Sequence, residues 1–205
     1  DDLAGTLGLD LDIAVSRSLN NGATWSPVAA LNTNASSDSG SDRFPAIATG
    51  GTGTWIAVWE STETLGGTVG ADYDILMASS SNGGASWSTP VPQNSDATTD
   101  TGDDYDAAIA TDGVGGWVVI HASYDSLGGT LGTDQDILAT RSGDDGVTWG
   151  ATAALNANAG GDSGRDWRPA IATGGAGSWV AAWSSTEDLN GALGTDIDIL
   201  VATGD

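Results

Sequence analysis

A period of 62 residues constrains this chain more than any other feature. Trp25, Trp87 and Trp149 recur at that step, and so do Trp55, Trp117 and Trp179, with no residue inserted or deleted between copies. Leu3, Leu65, Leu127 and Leu189 keep the same phase. A fixed period of this length marks a repeat architecture, in which each unit is one supersecondary element that buries its apolar face against a neighbour. The 205 residues hold three periods and a remnant.

Within one period the second copy reads as four short strands: Phe44 to Thr49, Trp55 to Ser61, Asp74 to Ser80 and Trp87 to Pro92. Each is rich in β-branched, aromatic or alanine residues, and Gly, Asn, Asp or Ser clusters bound it. The connections Gly50 to Gly53 and Ser81 to Ser86 are short enough for antiparallel hairpins. No window carries helical periodicity. The expected fold is therefore all-β, with an antiparallel four-stranded sheet of propeller-blade type in every period. The array divides into a partial blade (1–43), two blades (44–105 and 106–167) and a second partial blade (168–205), about three blades and thirteen strands in all.

Three octets end at the recurring tryptophans: Ser18-Leu19-Asn20-Asn21-Gly22-Ala23-Thr24-Trp25, Ser80-Ser81-Asn82-Gly83-Gly84-Ala85-Ser86-Trp87 and Ser142-Gly143-Asp144-Asp145-Gly146-Val147-Thr148-Trp149. They resemble the Asp-box, Ser-x-Asp-x-Gly-x-Thr-Trp, of sialidase-like β-propellers. The acidic or amide side chain suits the turn amides, Gly suits positive φ, and Trp suits packing on the hairpin. The resemblance implies that the octets join the two outer strands away from any active site, and that they serve folding. All three tryptophans are expected to be buried. His121 takes the place of Trp59 and Trp183 at the 62-residue step, which suits a packed residue better than a catalytic one.

The resemblance also implies what an enzyme of that family needs: three arginines for a substrate carboxylate, a Tyr–Glu nucleophile pair and an Asp acid/base. Arg43 and Arg168 sit near Pro45 and Pro169, as in the Arg-x-Pro segment of such enzymes. Arg17 and Arg141 start octets and belong on the far face. Tyr73, Tyr105 and Tyr124 neighbour Asp and lack an adjacent Glu, while Glu60, Glu63 and Glu187 follow the second strands. The units look nearly interchangeable, whereas a catalytic site breaks symmetry. The expectation is no enzyme.

Five arginines and no lysine face 28 Asp and Glu, for a formal charge of −23. No basic stripe exists to neutralise phosphates, so nucleic acid is not an expected partner, and no apolar run is long enough for membrane insertion. The acidic residues recur in two connections per period. One leads into the first strand and ends at Asp42, Asp104 and Asp166. The other leads into the third strand and ends in Asp-x-Asp, at Asp72/Asp74, Asp134/Asp136 and Asp196/Asp198. Both belong at one end of the sheets. Such oxygen-rich loops suit calcium, and they also suit a solvated, turn-rich extracellular surface. These nine aspartates are the candidate metal ligands. Incomplete end blades expose strand edges that another copy or a longer polypeptide would pair. The expected function is a non-catalytic structural or adhesive module of the cell exterior, such as a self-assembling fibre subunit stabilised by calcium. The first alternative is a glycan-binding propeller module, which would show an asymmetric aromatic and polar cleft, and behind it stands a sialidase-like glycoside hydrolase.

Overall fold

A computed structural model describes residues 7–51, 53–175, 177–194 and 196–204. Leu3, Thr52 and Asp205, which enter the readings above, lie outside the described residues. The described residues form strands and turns with no helix, so no helix is long and apolar enough to cross a membrane.

Strands β1 (Ala14–Val15) and β2 (Ala29–Ala30) form a short antiparallel pair. A four-stranded sheet follows, β3 (Asp42–Thr49), β4 (Trp55–Ser61), β5 (Asp74–Ser80) and β6 (Val91–Pro92), in sequential antiparallel order. One period later β7 (Asp104–Thr111), β8 (Trp117–Ser123), β9 (Asp136–Ser142) and β10 (Ala153–Ala154) repeat it. The last sheet holds β11 (Asp166–Gly175), β12 (Ser178–Ser185) and β13 (Asp198–Gly204). Sequential hairpins of this kind are the up-and-down blades of a propeller.

The second and third strands occupy the expected residues. First strands start two residues earlier than expected, at Asp42 and Asp104. Fourth strands are shorter than expected. Near the octet the pairing passes to a side chain, because Ser79 N donates to Ser88 Oγ at 3.1 Å, and only Val91 and Pro92 reach the ladder.

Apolar layers lie between consecutive sheets. Ile56, Val58, Ile75 and Met77 of one blade pack on Trp117 and Val119 of the next. Val118, Ile120, Ile137 and Ala139 pack in turn on Ala181 and Trp183. Covered on both faces, β8 is buried along its whole length, as fully enclosed strands are, whereas β12 is buried at only three positions and β13 alternates half-buried and exposed residues.

The octet turns close as their residue types imply. Asp144 Oδ1 accepts from Ser142 Oγ and from Thr148 N, both at 2.8 Å, and Oδ2 accepts from Thr148 Oγ1 at 2.6 Å. These donors, Thr148 first, hold its carboxyl down at about 2. Asn20 and Asn82 accept the first two bonds through their amide oxygens, and in the third the direction reverses, Asn20 Nδ2 donating to Thr24 Oγ1 and Asn82 Nδ2 to Ser86 Oγ, both at 2.8 Å. Asn therefore keeps the turn and gives up only the charge.

The tryptophans of these octets differ from expectation. Trp149 packs on the core cluster of the preceding blade and Trp87 on the cluster formed with Ile13 and Leu31, and each is half-buried. Trp25 is 64% exposed. An octet tryptophan is covered by the blade before its own, and no blade precedes β1 among the described residues.

Candidate functional site

The entries to the first and third strands lie at one end of the sheets, since Asp42 pairs Ser61 and Ser61 pairs Asp74 across β3, β4 and β5. The octets close the other end. Two kinds of polar assembly occupy the strand-entry end.

The first is a set of carboxylate clusters. Asp10, Asp12 and Asp38 each present an oxygen within 4.8 Å of the others, and so do Asp72, Asp74 and Asp100, then Asp134, Asp136 and Asp162. The two acidic connections thus meet, but the residue supplied by the connection into a first strand is Asp38, Asp100 or Asp162. Asp42, Asp104 and Asp166 belong to none of these groups. They lie deeper, at most 3% exposed, as acceptors within the sheets: Asn32 Nδ2 donates to Asp42 Oδ2 at 2.8 Å and Asn156 Nδ2 to Asp166 Oδ2 at 3.1 Å. Asp196 is exposed and Asp198 half-buried at the start of β13, and the position equivalent to Asp100 falls beyond residue 205. Burial, with neighbouring carboxylates adding, pushes Asp74, Asp100 and Asp136 up to about 7. Burial likewise raises Asp42 to about 7 and Asp166 to about 6.

His121 is fully buried on β8, with Nε2 3.6 Å from Asp104 Oδ2. Burial lowers its pKa to about 4, so at neutral pH the ring is uncharged. It fills the core position held by Trp59 and Trp183 in the flanking blades.

The second assembly is a cleft of about 360 Å³ lined by Arg43, Phe44, Glu60, Tyr105, Asp106, Tyr124, Gln135 and Arg165. A bulge at the head of each first strand builds it. Phe44, Asp106 and Arg168 sit at φ of 52–55° beside breaks in strand register. Bulges re-aim side chains, and a non-glycine residue at such φ is strained, a combination that gathers at binding sites. Asp106 N donates to Glu60 Oε1 at 2.6 Å and Arg168 N donates to Asp106 Oδ2 at 3.2 Å, so the relay crosses three blades. Arg43 Cζ stands 4.0 Å from the Tyr73 ring centroid, and Arg43 Nε is 3.8 Å from Glu60 Oε2. Tyr105 lies 5.5 Å from Tyr73 and 6.5 Å, edge-on, from Tyr124. Arg165 Nε donates to Gln135 Oε1 at 2.7 Å.

Sequence reasoning passed over this cleft. The Tyr and Glu residues that looked scattered are brought together, because Glu60 lies inside β4 and points to Tyr105 and Asp106 one blade on. A signal was present. At the 62-residue step the lining positions read Arg43/Tyr105/Trp167, Phe44/Asp106/Arg168, Glu60/Ala122/Ser184, Thr62/Tyr124/Thr186 and Tyr73/Gln135/Ile197. None of these positions holds the same residue in all three copies.

No protein-family model matches the chain, and no curated protein matches it. Solved structures do match in fold. A Hadza microbial sialidase superposes with a TM-score of 0.58 at 19% identity, over 92% of this chain and 40% of that one. The α-L-arabinanase of Penicillium chrysogenum, in complex with arabinobiose, gives 0.60 at 12% over 95% and 54%. The GH93 α-L-arabinofuranosidase of Fusarium graminearum gives 0.52 at 14% over 86% and 49%. The chain spans about half the length of these propeller proteins, and identities this low speak to the fold alone.

Proposed function

We propose that the chain is a non-catalytic, carbohydrate-binding propeller module of the cell exterior, and that the cleft between Arg43 and Arg165 is its binding site. The observation that carries this is the broken symmetry. The Arg, Tyr, Glu, Asp and Gln residues that line this concave patch each give way to other residue types in the neighbouring periods, so the patch does not recur in every period. Tyrosine rings offer faces for the apolar side of a sugar ring, and planar guanidinium, carboxylate and amide groups offer fixed forks for hydroxyl groups. That neighbours of the same fold include a sialidase and an α-L-arabinanase solved with arabinobiose supports a carbohydrate ligand.

Two features favour binding over hydrolysis. The Tyr105 hydroxyl donates to Asp103 Oδ2 at 2.8 Å, and burial together with that carboxylate keeps it protonated, so no activated phenolate stands ready. Glu60 is 1% exposed and its Oε1 is already engaged by Asp106 N. The test is isothermal titration against sialyllactose and arabinobiose, preceded by a glycan array. Binding that Arg43→Ala and Tyr105→Ala each weaken at least tenfold, with no sugar released on prolonged incubation, is expected. Binding indifferent to both variants would reject the site, and sugar release would reject the non-catalytic assignment.

A second reading, assembly, rests on a separate observation. Val180, Ile199 and Val201 are 45–67% exposed, while their equivalents one period earlier, Val118, Ile137 and Ala139, are at most 7% exposed under the following blade. The occupant of this face is a further blade of the same kind, from another copy or from the same polypeptide. Light scattering of the 205-residue chain is expected to show mass rising with concentration, and Ile199→Asp to abolish the rise. A monomer at every concentration would contradict assembly between copies.

A further inference from the structure

The carboxylate clusters share one arrangement that hydrogen bonding within the protein leaves incomplete. In the middle cluster, Asn94 Nδ2 donates to Asp74 Oδ1 and to Asp100 Oδ2, each at 3.3 Å. The remaining oxygens, Asp74 Oδ2 and Asp100 Oδ1, and with them Asp72 Oδ2, are shut off from solvent and have no donor. Asp74 as a whole is 1% exposed. The first cluster repeats this atom for atom: Asn32 Nδ2 donates to Asp12 Oδ1 at 3.0 Å and Asp38 Oδ2 at 3.3 Å, leaving Asp10 Oδ2, Asp12 Oδ2 and Asp38 Oδ1 without a donor. In the third, Asn156 Nδ2 donates to Asp136 Oδ1 at 3.2 Å, and Asp134 Oδ2 and Asp162 Oδ1 are the atoms left over.

An asparagine thus holds two carboxylates of the first and middle clusters and one of the third, while oxygens of all three members stay within 4.8 Å of one another. Glycine completes the cradle, since a Cβ on Gly70 would lie 2.2 Å from Asp72 Oδ1, and Gly8 and Gly132 stand in the same relation to Asp10 and Asp134. Buried carboxylate oxygens gathered without a donor, three in each of the first two clusters and two in the third, repel and are poorly solvated, so the arrangement is complete only with a positive charge between them. The donors are all oxygen, with no His or Cys, and they come from irregular loops, a setting that suits calcium with its six to eight oxygen ligands better than zinc or magnesium.

We infer that each period holds one calcium ion, bound by Asp10, Asp12 and Asp38, by Asp72, Asp74 and Asp100, and by Asp134, Asp136 and Asp162, with Asn32, Asn94 and Asn156 orienting the ligands. Each ion ties the loop entering a third strand to the loop leading into the next blade, which are otherwise joined by bonds such as Gly70 N to Ala97 O at 2.9 Å. The middle site is the most acidic. Asp96 and Asp125 replace the Asn and Glu found at these positions in the flanking periods, and their carboxylates lie within 4.8 Å of Asp100.

The experiment uses the 205-residue chain freed of divalent ions by chelation, titrated with calcium chloride by calorimetry and by thermal unfolding. Three calcium ions per chain are expected, with Tm rising by roughly 10 °C or more once calcium exceeds Kd about a hundredfold. Magnesium and sodium at matched ionic strength are expected to give a much smaller rise. Asp100→Asn should remove one ion from the stoichiometry, and Asp38→Asn should remove a different one, which keeps the assignment testable if either variant fails to fold. A calcium response no larger than that of sodium, or an unchanged stoichiometry in the folded variants, would overturn it.

Discussion

Replacing Gly102 by alanine is expected to lower the unfolding free energy by about 3 kcal/mol, at the upper end of what overpacking costs. A Cβ at this position would lie 2.4 Å from Asp125 N and 2.5 Å from the Tyr124 carbonyl carbon. Those are backbone atoms, which cannot swing aside as a side-chain tip can. Gly40 and Gly164 are pressed in the same way against the backbone of Glu63 and Glu187, so the requirement belongs to every blade. The loop carrying Gly102 also carries Asp100 to one side and leads through Asp103 into Asp104 and Tyr105 of β7 on the other. Pushing it away therefore disturbs both the carboxylate cluster and the cleft. Gly143 supplies the control, because a Cβ there meets nothing within 4 Å, and Gly143→Ala should stay within about 0.5 kcal/mol of the parent. Denaturant unfolding measures both. Equal midpoints for the two variants would show that the close approach at Gly102 is not rigid.

Trp117→Ala is expected to cost about 4 kcal/mol, within the range for a large buried aromatic. The ring is fully buried between two blades, among Ile56, Val58, Met77 and Val119. Its Nε1 donates to Asp145 Oδ1 at 3.1 Å, and Asp145 Oδ2 accepts from Thr54 Oγ1 of the preceding blade at the same distance. Removing the indole opens a cavity and withdraws one of the two donors from Asp145. Trp179 holds the same position in the last sheet but is only half-buried, so Trp179→Ala should cost less than half as much. If the two substitutions were equally mild, the apolar layers between blades would not be the main source of stability.

The all-β sheets were legible because the period is uninterrupted. Once Trp55 and Trp117 are aligned, a strand read in one copy is read in all, and the second and third strands fell where the β-branched runs placed them. The fourth strands were overread because Ser88, Thr89 and Pro90 look like the start of a strand, whereas the Ser88 side chain takes the bond that a ladder would have used. Burial of Trp25 was misjudged for a different reason. Burial in a stacked array depends on the neighbouring blade, which a motif does not encode. The acidic end was legible from Asp-x-Asp spacing, yet the third partner of each cluster, Asp38, Asp100 or Asp162, was displaced by four residues to Asp42, Asp104 or Asp166. All these residues share the acidic loops, and only the asparagine bonds distinguish an inward acceptor from a loop ligand. The cleft was hidden by chain distance. Arg43 and Arg165 are nearly two periods apart, and the differences at the lining positions stand among many others between the copies, so only the fold brings them to one place.

The central claim is that the cleft between Arg43 and Arg165 is where the array meets a glycan. Its most direct test is an amide chemical-shift titration of the folded chain with the oligosaccharide that scores highest on the array. The account predicts saturable shifts concentrated at Arg43, Phe44, Glu60, Tyr105, Asp106, Tyr124, Gln135 and Arg165, with the octet turns and the outer face of β13 unmoved. Shifts that recur at equivalent positions in every period, or that map to the octets instead, would contradict it.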